Sequence, residues 1–118
     1  MRLSKEQRIF TRHIGLLIEK AYCLGLELTF GEAWRSNEEQ LRLKKAGLSQ
    51  IDYGQHQKRL AVDFNLFKDG KLTWKWEDYV PLGEYWHSLD EKNRWGGDWN
   101  KNGKKDGFID APHFERNV

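Results

Sequence analysis

The chain has 118 residues, 38% of them hydrophobic and 32% charged, which fits one globular domain and leaves no room for a second. Two prolines and eleven glycines exclude collagen-like and low-complexity classes, and no run approaches the roughly 20 apolar residues of a membrane span. Twenty Lys and Arg against 18 Asp and Glu leave a net charge of +2, too balanced to demand nucleic acid but compatible with an anionic partner.

The first segment reads as an amphipathic helix. Ser4 and Gln7 match a capping box, and Ile9, Phe10, Ile14, Leu17, Ile18 and Ala21 recur at helical spacing up to a stop at Gly25. The polar start, MRLSKEQRIFTRH, lacks the apolar middle of a signal peptide. Cys23 is the only cysteine, so no internal disulfide forms and folding needs no oxidation. Residues 26–30 alternate as a strand, with Leu26, Leu28 and Phe30 on one face. A second helix is predicted from Ser36, where Ser36 and Glu39 form another capping box, to Gly47. Residues 48–59 are polar and turn-like.

Residues 60–67 form the strongest predicted strand. On it Val62, Phe64 and Leu66 face one way, and Ala61, Asp63 and Asn65 the other. Asp69-Gly70 marks a hairpin turn, 72–76 returns as a strand, and Pro81 opens a helix over about 81–91. The glycine-rich end reads as irregular. Helices and strands mix without regular βαβ alternation, which predicts an α+β fold: a small antiparallel sheet flanked by helices.

Metal chemistry has four histidine candidates: His13, His56, His87 and His113. His13 lies beside the apolar stripe of the first helix, where packing is the plainer role. His87, next to Trp86 in a helix, suits a structural role or support of another ligand. His56 and Asp63 would stand about 23 Å apart on one continuous strand, so they share a site only if the chain turns at residues 57–59. Asp63 is then either part of an open site or an edge-strand carboxylate in water. Pro112 holds Ala111 extended and fixes the approach of His113, with Asp110 three residues before it.

These residues resemble the zinc D-alanyl-D-alanine carboxypeptidase family, and more closely its L-alanyl-D-glutamate endopeptidase branch used as phage endolysins. One signature of that family reads here from Gly54 through His56, Arg59 and Ala61 to Asp63. A second runs Asp110, Ala111, Pro112, His113, Phe114, Glu115. Arg35, Ser36, Glu39 and Gln40 resemble its arginine segment, and Arg94-Trp95-Gly96-Gly97-Asp98-Trp99 its lead into the last histidine. Gly54 stands where the signature has serine, and Arg59 where it has glycine, so the turn between His56 and Asp63 is expected to be shaped differently.

The resemblance implies a Hedgehog/DD-peptidase type of fold with zinc held by His56, Asp63 and His113. It implies Asp110 as general base and Arg35 as oxyanion stabiliser; a surface ion pair with Glu38 or Glu39 is the plainer role for Arg35. The activity it implies is hydrolysis of peptide stems in bacterial peptidoglycan, at the L-alanyl-D-glutamate bond. A D-alanyl-D-alanine carboxypeptidase, or a non-catalytic zinc-stabilised module binding wall or partner, is the alternative. One monomeric catalytic domain is expected across 1–118, without a wall-binding domain, nucleic-acid partner or membrane segment. It would be made in the host cytoplasm and act on the wall after release. A second cation is suggested by Asp98, Asn100, Asn102 and Asp106, spaced like an EF-hand calcium loop with Gly103 at the sharp turn. Position 12 of that pattern is Ile109 rather than Glu, and a solvated Asn/Gly turn is the competing reading.

Overall fold

The apolar stripe at the start of the chain becomes helix α1, Arg2–Cys23, and buries Phe10, Ile14, Leu17 and Ala21 along one face. The computed structural model describes residues 2–32 and 58–118; the helix expected from Ser36 lies outside them. Helix α1 begins ahead of Ser4, so Ser4 sits in its first turn and does not cap it. Gln7, the expected capping partner, instead donates its side-chain amide to the Lys58 carbonyl at 2.8 Å, which ties the helix to the chain entering the sheet.

Among the described residues five strands form one antiparallel sheet: β1 (Leu26–Phe30), β2 (Ala61–Lys68), β3 (Lys71–Thr73), β4 (Asn93–Trp95) and β5 (His113–Arg116). Their order is β1-β2-β5-β4, with β3 also paired to β2. Strand β2 is central. It pairs with β1 along one edge, while its first half meets β5 and its second half β3. Asp69 and Gly70 take φ of 55° and 75° between β2 and β3, the two left-handed positions of a type I′ hairpin.

Helix α2 spans Trp76–Leu89, five residues earlier than Pro81 suggested, and the strand expected over 72–76 ends at Thr73. Side-chain anchors explain both changes. The Thr73 hydroxyl donates to Asp78 at 2.7 Å and accepts the Lys75 N–H, closing the first turn. The Trp76 indole N–H donates to the Gly97 carbonyl at 2.7 Å, and its ring stacks on Trp95. Glu77 and Asp78 favour the positive helix end. Pro81 therefore lies inside the helix, which forgoes one backbone hydrogen bond there.

The end of the chain, expected to be irregular, contains β4 and β5. Both are short, and β5 buries all four residues, three of them polar or charged, so no apolar alternation marked it. Both described helices pack on one face of the sheet. Trp86 sits at the centre, fully buried, with Phe10 and Phe114 edge-on to it. Val62, Phe64 and Leu66 point into this core as expected. On β1 only Leu26 is fully buried; Phe30, expected on the same inner face, is 62% exposed. No described helix is long and apolar enough to cross a membrane.

Candidate metal centre

The inward set of β2 builds the core, so the intervening residues Asp63 and Asn65 lie on the opposite sheet face. Asp63 is no edge-strand carboxylate. Its backbone pairs with His113 of β5 on one side, and on the other its carbonyl accepts the Gly31 N–H and its N–H donates to the Glu32 carbonyl, each at 2.7 Å.

This pairing places the Asp63 carboxylate 3.1 Å from Nδ1 of His113. The Asp110 carboxylate lies 4.0 Å from the same nitrogen. Asp110 arrives by a tight turn, in which the His113 N–H donates to the Asp110 carbonyl at 3.0 Å. Gly96 fixes that turn: its N–H donates to the His113 carbonyl, and its carbonyl accepts the Asp110 N–H. A Cβ on Gly96 would collide with the Asp110 carbonyl oxygen, so only glycine permits this close approach.

The far side of the His113 ring is also engaged. Nε2 lies 2.8 Å from Glu115, whose second oxygen accepts two Arg94 N–H groups, at 3.0 and 2.6 Å. Trp99 covers the ring, its centroid 5.4 Å away. Burial alone would lower the pKa of His113, but the Asp63 and Glu115 carboxylates bonded to it win and raise it to about 9. Burial would raise Glu115, and the charges of His113 and Arg94 hold it low instead.

One donor atom from each of Asp63, Asp110 and His113 lies within 4.8 Å of the others. A tetrahedral zinc ion with bonds of about 2.0–2.2 Å sets its donors about 3.4 Å apart, so the 3.1 Å between Asp63 and His113 suits one ion with a small adjustment, and Asp110, 4.0 Å from the same nitrogen, stands beside it. Nitrogen and carboxylate oxygen are zinc donors, and the second ring nitrogen bonded to a carboxylate is the usual support of a metal-bound histidine. The residues fit the group, and a cation taking Nδ1 must displace its proton. The Asp110 side chain is 41% exposed against 24% for Asp63, which leaves Asp110 the more accessible for proton exchange.

Two expected participants, His56 and Arg35, lie outside the described residues. His87 is not brought to the centre: its Nε2 accepts the Trp95 backbone N–H at 3.0 Å. His13 packs edge-on against Trp86 and meets Asn93, a structural contact. In the 98–106 loop, Asp98 accepts the N–H groups of Asn102 and Gly103 at 3.1 and 2.8 Å, and the Asn102 amide donates to Asp106. The loop is thus held by its own hydrogen bonds, with Asp98 buried and Asn100, Asn102 and Asp106 exposed. Sequence reasoning missed the roles of Glu115 and Arg94. The i, i+2 spacing of His113 and Glu115 on one strand was the available signal.

Fold and site together define an α+β domain with a histidine–carboxylate centre on the sheet face opposite α1 and α2. The structure is similar to that of the L-Ala D-Glu endopeptidase ChiX of Serratia marcescens, with a TM-score of 0.70 and 23% identity over 98% of this chain and 86% of the other. That likeness establishes the shared fold. No protein-family model matches the sequence, and no curated protein matches it.

Proposed function

We propose that the chain is a zinc-dependent peptidase that hydrolyses peptide stems of bacterial peptidoglycan, at the L-alanyl-D-glutamate bond. One observation carries this reading: the His113 Nδ1 faces two carboxylates while its Nε2 is held by a third. The fold shared with an L-Ala D-Glu endopeptidase supports the substrate class. Asp63 and His113 would hold the ion, joined by His56 as the sequence resemblance implies. When bound, zinc supplies Lewis acidity and acidifies a coordinated water.

The chain's own groups supply the proton chemistry. Asp110, open to solvent and next to the cluster, takes the proton from the attacking water and returns it to the leaving amine. Gly96 and the 110–113 turn hold that carboxylate in reach. Arg35 is assigned the growing negative charge on the carbonyl oxygen, as the resemblance implies. The mild positive charge of +2 favours approach to an anionic wall. The setting that fits is a lysin made in the host cytoplasm and acting on the wall after release.

Digestion of purified peptidoglycan, with the products identified by mass spectrometry, tests this function. Zinc-loaded protein should expose new D-glutamate amino termini, and a chelator should abolish them. Release of free D-alanine alone would move the assignment to the carboxypeptidase. Intact stems after incubation with zinc-loaded protein would overturn it.

A further inference from the structure

The metal reading leaves one buried carboxylate, Glu115, and its partner Arg94 unexplained. Glu115 is 4% exposed, and neither of its oxygens faces the cluster of Asp63 and Asp110; both are taken, one by His113 and one by Arg94. As a stabilising device such a half-buried ion pair seldom does better than well-packed apolar side chains. As an orienting device it does what an apolar side chain cannot.

We propose that Glu115 and Arg94 are positioning residues for the metal centre, acting through the imidazole of His113. The inference rests on the metal-site reading above. Strand register lays the parts out in a row across one sheet face. Asp63 stands opposite His113, between β2 and β5, and Arg94 stands opposite Glu115, between β4 and β5. His113 and Glu115 are two residues apart, so their side chains share that face. Glu115 accepts the Nε2–H at 2.8 Å, which fixes the ring's rotation and leaves Nδ1 directed at Asp63. Arg94 then fixes Glu115. Its Nε and its Nη2 meet one carboxylate oxygen and leave the other for the ring. Trp99 closes the arrangement, lying against the His113 ring and under the Arg94 guanidinium. Without this support the ring can rotate, and a metal loses a preset ligand. Partners of this kind typically contribute 10- to 100-fold in metal affinity.

The test uses three variants of the full chain: Glu115→Gln, Arg94→Ala and Arg94→Lys. Cobalt(II) affinity is measured by competition with a chromogenic chelator, alongside the visible spectrum of the cobalt form and the melting temperature. Glu115→Gln should bind cobalt about 10- to 100-fold more weakly with an altered spectrum, Arg94→Ala should weaken binding less, and Arg94→Lys should recover part of that loss. A purely structural pair would lower the melting temperature and leave affinity and spectrum unchanged; that result overturns the proposal. The Arg94 variants keep the test open should Glu115→Gln fail to fold, because the Arg94 side chain is 37% exposed. A parent that binds no cobalt refutes the metal reading instead. The positioning claim is then read from NMR of the His113 ring: the Nε2–H should exchange slowly in the parent and markedly faster in Arg94→Ala. Equal exchange rates would overturn it.

Discussion

Strand β5 carries a charge cluster built around a buried residue on each of its faces, and the two differ in how they are completed. On the helix side, Arg116 is 3% exposed and meets Glu6 of α1 at 2.6 Å and Asp90 at 3.3 Å, with Lys92 also on Glu6. Cations and carboxylates there meet directly, two against two. On the other face, Glu115 is matched by Arg94, while Asp63 and Asp110 converge on one histidine nitrogen. The first cluster is closed and ties α1 to the sheet. The second brings two carboxylates and one imidazole nitrogen together within reach of a single cation. Burial of charge alone does not mark a functional site; a set of metal-donor atoms gathered at one point does.

The comparison is tested most strongly by removing its parts. His113→Ala should eliminate bound metal and hydrolysis while the fold persists, as checked by metal analysis and circular dichroism. Asp110→Asn should keep the metal and lose about 10²- to 10⁴-fold in turnover, because an amide cannot accept the proton. Parent-like turnover in Asp110→Asn would remove Asp110 from the proton-transfer role.

The closed cluster should respond in the opposite way. Arg116→Leu leaves Glu6 and Asp90 without their shared cation, which should lower the melting temperature by more than about 5 °C with metal stoichiometry unchanged. A variant that lost metal without losing stability would erase the distinction between the two faces.

A smaller effect comes from His87, which joins α2 to β4. Burial first, and the charge of Lys101 second, lower its pKa from the ordinary 6.5, and its neutral ring accepts the Trp95 N–H. Because the folded value is depressed, its contribution is fully present above pH 6.5 and is lost as pH falls from there through the lowered value. Melting temperature should therefore decline on acidification below about 6.5. His87→Gln, which can accept the same N–H without titrating, should flatten that part of the decline. An identical slope in both proteins would exclude His87 as the cause.

Much of the framework was legible because it is written in apolar periodicity. The α1 stripe, the inward face of β2 and the Asp69-Gly70 hairpin all follow from local spacing. The start of α2 was not legible, because it depends on Trp76 reaching Gly97 and Trp95, residues some twenty positions away. Strand β5 was hidden by the polar residues it buries. Its partners are supplied by other strands, so its four-residue sequence shows charge where the fold shows burial. Arg59 is instructive in another way. It stands where the family signature has glycine and takes φ of 57°, the left-handed region a glycine would occupy, at a cost of about 1–2 kcal/mol. Within the site, Asp63, Asp110 and His113 were found by motif; strand register brings Asp63 to His113, and the turn held by Gly96 brings Asp110. Glu115 and Arg94 became visible only once β4 and β5 were paired.

A metal ion is expected on the face of β5 that carries His113, and not on the face that carries Arg116. Anomalous X-ray diffraction from crystals grown with zinc tests it directly. The account predicts one strong peak per chain, about 2.0–2.2 Å from His113 Nδ1 and from an Asp63 oxygen, with Nε2 still bonded to Glu115. No peak between Asp63 and His113, or one on the Nε2 side of the ring, would contradict it.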